Sequence, residues 1–256
     1  MRHISFSELK NWVTCAFYHK LVNIEKIKGF RGSEHTDFGT AVHEVYEKRV
    51  LGEIREGQEG TIFDQTFEKE ILKLLSDGVE LDQELVSQME VQGNTLSPKG
   101  IPALKEYFGN YEVFSAEEKL YEPLGDVEYL FKGYIDLVLK TADGKYHIID
   151  WKTTSWGWDT RRRSDTMVTY QLTLYKHYFA KKHNINPQDI ETHFALAKRT
   201  ATKEHIEIFR VSSGPKKTQN ALKLLNKAVY NIQKAKYIKN RLSCNRCEFY
   251  KTEYCR

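Results

Sequence analysis

Residues 133–154 read GYIDLVLKTADGKYHIIDWKTT. Two apolar, β-rich runs flank TADG, whose Asp-Gly pair is a strong signal for a tight hairpin. Strand alternation then puts Ile135, Leu137 and Leu139 on one face and Asp136 and Val138 on the other. In the second run Ile149 and Trp151 alternate with Asp150 and Lys152. The turn lets Asp136 and Asp150 approach across neighbouring strands, with Lys152 on the side of Asp150. Adjacent carboxylates repel, and desolvation adds to the cost. A divalent cation relieves both, because hard oxygen ligands suit Mg²⁺ and Mn²⁺. The alternative is a solvated pair of strand ends with Lys152 as a surface partner.

Around this hairpin the sequence predicts an α/β protein. A helix capped by Ser5 or Ser7 runs to about Lys20, with Phe6, Leu9, Trp12, Val13 and Phe17 on one side. A second starts near Ser33 or Asp37, covers FGTAVHEVYEKRVL and ends at Gly52. Residues 53–110 read as a helical insert, with one helix over FDQTFEKEILKLLS and another over SPKGIPALKEYFGNY. The stretch YEVFSAEEKLYEPL opens the β-rich part. A Ser/Asp start precedes a helix over SDTMVTYQLTLYKHYFAKKH. ETHFALAKRT and EHIEIFRVS form a second strand pair, and a basic amphipathic helix spans about 216–239. These elements assemble into a central mixed sheet of four or more strands flanked by helices, in a single domain over 1–256.

Charge is unevenly distributed. Residues 52–92 hold eleven Asp or Glu against three Lys or Arg, whereas 208–247 hold ten Lys or Arg and no acidic residue. One face therefore either meets a polyanion or is simply a solvated helix face. No window approaches 18 uninterrupted apolar residues, which argues against a membrane span. MRHISFSELKNW lacks the apolar core of a signal peptide, so a cytoplasmic location is expected.

Four cysteines occur: Cys15, Cys244, Cys247 and Cys255. A disulfide framework fits poorly in a chain of this length without a secretion signal. The C-terminal spacing C-x2-C-x7-C suits a metal or cluster site, and four soft thiolates accept either Zn²⁺ or iron–sulfur. The alternative is four reduced free thiols.

Four motifs follow in order: G-x-x-x-H (Gly39–His43), G-x-x-D (Gly133–Asp136), D-x-K (Asp150–Lys152) and Q-x-x-x-Y (Gln171–Tyr175). This series resembles the RecB-like branch of the PD-(D/E)xK nuclease superfamily. Ser7, Leu9, Trp12 and Cys15 in S-x-L-x-x-W-x-x-C, with three terminal cysteines, are similar to its iron–sulfur subgroup. That subgroup includes the AddB nuclease domain, CRISPR-associated RecB-like exonucleases and phage relatives. Ala16 replaces the subgroup's usual proline.

The resemblance implies a restriction-endonuclease-like core with the chain ends, 1–20 and 240–256, joined at a 4Fe-4S cluster held by the four cysteines, with Zn²⁺ as the alternative. It implies metal-dependent DNA hydrolysis, as an exonuclease on single strands or ends in recombination, repair, phage DNA metabolism or CRISPR adaptation. His43, Asp136, Asp150 and the Trp151 carbonyl would hold Mg²⁺ or Mn²⁺. Lys152 would orient the nucleophile or stabilise the transition state, with Gln171 and Tyr175 lining the site and positioning the strand to be cut. Alternatives are a non-catalytic DNA-end-binding module and an endonuclease within a larger complex. Trp156, Trp158, Arg161, Arg162 and Arg163 follow Lys152, an interleaving that suits stacking on single-stranded DNA. Equally, the tryptophans could pack on the core.

Overall fold

A computed structural model describes residues 2–125 and 127–256. In chain order the elements are β1 (Arg2–Ser5), α1 (Phe6–Thr14), α2 (Ala16–His19), α3 (Glu34–Val50), α4 (Glu59–Ser76) and α5 (Gln83–Leu96). They continue with α6 (Gly100–Phe108), β2 (Tyr111–Pro123), β3 (Tyr129–Thr141), β4 (Tyr146–Thr154), α7 (Thr160–Ser164) and α8 (Thr166–His183). β5 (Ile190–Lys198), β6 (Ile206–Val211) and α9 (Pro215–Gln233) complete them. No described helix is long and apolar enough to cross a membrane.

The chain forms two compact units. One comprises Gly32–Glu118 and Tyr134–Ser213, the other Met1–Arg31, Lys119–Gly133 and Gly214–Arg256. The chain passes between them within β2 and β3, where the sequence carries no linker-like composition.

In the larger unit the predicted hairpin is present. β3 and β4 pair antiparallel from Leu137 opposite Ile149 to Lys140 opposite Tyr146. Gly144 at the turn has φ +83°, and its N–H donates to the Thr141 carbonyl. This left-handed position is why the Asp-Gly pair works. β4 continues into a nine-residue parallel pairing with β5, and β5 pairs antiparallel with β6, so the sheet is mixed. Leu137, Leu139, Ile149, Trp151, Ala195 and Ala197 share one buried core with Phe38, Val42 and Tyr46 of α3 and Phe63 and Phe67 of α4. The predicted insert is thus the cover of one sheet face. α8 packs on β4 and β5, where its Phe179 ring lies 6.1 Å from Tyr146, a residue of opposite parity to that core.

The second unit pairs β1 parallel with the start of β3, Arg2 opposite Tyr129 through Ser5 opposite Lys132. Ser5 caps α1 by accepting from Glu8 N at 3.1 Å. The single helix expected to Lys20 is interrupted at Cys15, which is extended at φ −163° and ψ 117°. A short π-helix, Lys20–Ile24, follows α2. α9 buries Ala221, Leu225, Ala228, Val229 and Ile232. It stops at Gln233 rather than near 239, and Ala235 just beyond is left-handed at φ +51°.

Candidate active site

The β3–β4 ladder ends at Leu137 and Ile149, one step before Asp136 and Asp150 would face each other. Beyond that step β4 stays paired with β5 alone. At this fork Asp136 Oδ2 accepts from Trp151 N at 2.7 Å, taking up a backbone donor that β3 no longer satisfies. Asp150 is 1% exposed and ion-paired with Lys152.

His43 reaches the fork from α3. The helix starts at Ser33, whose N–H donates to Thr36 Oγ1 at 3.0 Å. One turn before His43, Gly39 lies against β4, and a Cβ there would sit 3.1 Å from Thr153 Oγ1. The small residue permits the approach that places His43 Nδ1 3.6 Å from Asp136 Oδ2. α8 supplies Gln171, which donates from Nε2 to Tyr175 Oη at 3.2 Å. Asp165 caps that helix through Met167 N and Val168 N.

Burial dominates the electrostatics. It pushes the Asp136 and Asp150 carboxyls up to about 6, against the pull of Lys152 on both. Burial, then Lys152, holds His43 down to about 4, so the ring is neutral at pH 7. Burial works against the Lys152 charge, yet Asp150 and Asp136 keep its ammonium above the ordinary range. Tyr175 is raised by burial and then by Asp150, and so keeps its proton.

Two carboxylates at this site were not anticipated. Glu117 carries φ +47° in the middle of β2, a left-handed backbone that a non-glycine residue adopts at a cost. Its carboxyl is pushed up to about 7 by burial, then by Asp136, Glu47 and Asp150. Glu47 stands one turn after His43. Both line a small recess with His43, Asp136 and Trp151, beside an open cleft of about 810 Å³. Glu47 was findable as H-x-x-x-E on one helix face. Glu117 was not, since a single left-handed residue in a strand leaves no periodic trace.

The donor set suits a hard divalent cation: carboxylate oxygens around a neutral imidazole, with like charges crowded by burial. His43 and Asp136 are brought together, whereas Asp150 is turned to Lys152. The ligand atoms of all three do not lie within 4.8 Å of one another; among the described residues that spacing is met by His147, Glu191 and His193.

The aromatic-basic segment divides. Trp156 is 68% exposed, but Trp158 is 6% exposed, with rings of Phe194 and Phe209 at 5.0 and 6.2 Å. Core packing therefore occupies Trp158, the alternative to stacking on DNA. Arg163 donates to the Trp158 carbonyl at 2.8 Å and pairs with Glu207. Arg162 lies over the Trp158 ring, 4.6 Å from its centroid, and Arg161 is exposed.

All four cysteines fall in the second unit, reduced and half-buried. Cys15 Sγ accepts from Asn240 N at 3.3 Å. Cys247 N donates to the Cys244 carbonyl at 3.1 Å, and Cys255 bridges Thr252. Cys15 and Cys247 line one pocket of about 500 Å³ with Tyr18 and Glu248. Tyr18 Oη donates to Glu248 at 3.0 Å.

A family model described as the PD-(D/E)XK nuclease superfamily matches residues 3–256. No curated protein matches the chain. Among solved structures it is similar in fold to a "putative exonuclease" from Eubacterium rectale, at 16% identity, over 96% of this chain and 86% of that one, with a TM-score of 0.61. SSO0001 aligns at 15% identity over 91% of each chain, with a TM-score of 0.37.

Proposed function

Because the chain belongs to the PD-(D/E)XK nuclease superfamily, we propose that the β3–β4 fork is the active centre of a metal-dependent deoxyribonuclease acting as an exonuclease on single strands or DNA ends. The observation that carries this reading is the approach of His43 to Asp136 beside the buried Asp150–Lys152 pair. The name of the Eubacterium rectale structure favours exonuclease over endonuclease action.

Asp136, Asp150, His43 and the Trp151 carbonyl would hold Mg²⁺ or Mn²⁺, with Glu117 and Glu47 as further oxygen donors. Such an ion supplies Lewis-acid polarisation of the scissile phosphate and lowers the pKa of its water. The chain's own residues do the rest. The Lys152 ammonium is a fixed positive charge beside the acidic fork, placed to stabilise charge developing on phosphate oxygens. Its pairing with Asp150 keeps both groups oriented until the ion is bound. Tyr175, protonated and held by Gln171, can donate to a phosphate oxygen. Trp156 offers a free face for a base, with Arg161 and Arg162 for the backbone. By the family resemblance, Cys15, Cys244, Cys247 and Cys255 would hold a 4Fe-4S cluster, with Zn²⁺ as the alternative.

The test is a timed digest of end-labelled single and double strands with Mg²⁺, Mn²⁺ or chelator. Wild type should release nucleotides from an end only with metal, and Asp150→Ala and Lys152→Ala should each lose this by 100-fold or more, about the worth of a lost transition-state contact. Cleavage that survives both substitutions removes the proposed centre. Nicking of closed circles would make it an endonuclease.

A further inference from the structure

A second polar cluster lies at the other end of the strands. His147 stands near the start of β4, and Glu191 and His193 near the start of β5. The parallel register sets His147 opposite Glu191 and Ile149 opposite His193, so alternation brings the three side chains to one face. That face is opposite in parity to Asp150, and His147 lies about 10 Å along the strand from it. We propose that His147, Glu191 and His193 form a second metal site, separate from the cleft, that takes a first-row transition ion of the Zn²⁺ type.

One ligand atom from each residue lies within 4.8 Å of the others. His147 Nδ1 is 3.9 Å from Glu191 Oε2, and His193 Nε2 is 4.0 Å from the same oxygen. These separations exceed a hydrogen bond, and His147 Nδ1 is buried with no partner in a residue 7% exposed. Its tautomer follows from the neighbours. Thr141 Oγ1 donates its one proton to Asp143 Oδ1 at 2.5 Å, so at 2.9 Å it can only accept from His147 Nε2–H. Nδ1 therefore presents a bare lone pair to a carboxylate oxygen. Acceptors facing one another across a buried gap repel unless a cation lies between them.

The surroundings fit that role. Glu191 Oε1 takes the two nearby cations, Lys145 at 3.4 Å and Arg210 at 3.2 Å, and leaves Oε2 turned to the histidines. These cations oppose a metal but also fix the carboxylate as a one-oxygen ligand. Phe108 and Tyr107 of α6 cover the two histidines, with ring centroids 4.9 to 5.7 Å away. Two imidazoles and one carboxylate are an established zinc donor set, and Thr141 supplies the hydrogen bond that orients such a ligand.

The test strips the full-length protein with chelator and returns Zn²⁺ alone, reading metal content, affinity by competition and melting temperature. Asp136→Asn and Cys15→Ser report on the other two candidate centres. One zinc equivalent, with a zinc-dependent rise in Tm, should persist in Asp136→Asn and disappear in His147→Gln and Glu191→Gln. Glu191 is partly exposed, so its variant should fold even where the buried histidine variant does not. Thr141→Val should retain the equivalent with affinity weakened by about 10- to 100-fold. With Co²⁺ this equivalent should show no thiolate charge-transfer absorption. If Glu191→Gln binds zinc like wild type, or all zinc is lost with Cys15→Ser, the site is not there.

Discussion

Asp136 carries the sharpest residue-scale consequence. Its carboxyl is pushed up to about 6 from an ordinary 3.8, chiefly by burial. Between those values the folded protein holds a proton that the unfolded chain has released, so stability falls as pH rises through that window and stays lost above it. Asp136→Asn cannot ionise, yet its amide oxygen can still accept from Trp151 N. In chelator at pH 7 it should therefore be more stable than wild type by on the order of 1–3 kcal/mol, from ~2 pH units at ~1.4 kcal/mol each. The gap should close near pH 4, and saturating Mg²⁺ should reverse the ranking. Thermal melts at the two pH values decide it; a variant less stable at pH 7 in chelator would show that the carboxylate is satisfied without a cation. By the same competition, divalent affinity should weaken as pH drops below about 6, with proton release on binding. Much at this scale was legible: Asp136, Asp150 and Lys152 follow from alternation about one turn. Glu117 was hidden, because its orientation comes from one left-handed φ. The ion pair between Asp150 and Lys152 was hidden too, since alternation gives a face and not a rotamer.

At the element scale, Gly39 sets how closely α3 lies on β4. Gly39→Ala gains about 1 kcal/mol of helix propensity but puts a methyl 3.1 Å from Thr153 Oγ1. Net stability should stay within about 1 kcal/mol of wild type, while cleavage falls at least tenfold as His43 is lifted from Asp136. Adding Thr153→Ala opens that space and should restore activity; an unchanged rate in Gly39→Ala alone would mean the approach is not needed. The elements themselves were mostly readable from periodicity and caps, as Asp165 and the Asp143-Gly144 turn show. β1 was not, because RHIS has one apolar residue and gains its order only by pairing with a distant strand. The break at Cys15 was equally silent, since its flanks keep helical spacing. His147, Glu191 and His193 each looked like ordinary strand residues; only the parallel register of β4 on β5 joins them.

For the whole molecule, the two units give separable readouts. Cys15→Ser should bleach the brown colour expected of an iron–sulfur cluster and raise hydrogen exchange in residues 1–31 and 214–256. Residues 134–213 should keep their protection, measured on the same sample by mass spectrometry. Equal loss of protection in both units would mean that the cysteines hold more than their own unit. The charge asymmetry legible in the sequence maps onto this division: the acidic stretch 52–92 lies in the larger unit, and α9 with its lysines in the other.

That division has a consequence for synthesis. Every residue of the proposed centre precedes Ser213 in the chain, whereas three of the four thiols, Cys244, Cys247 and Cys255, follow it. Vectorial folding would thus assemble the blade before its clasp. A nascent chain paused after β6 should already bind divalent ions while carrying no iron.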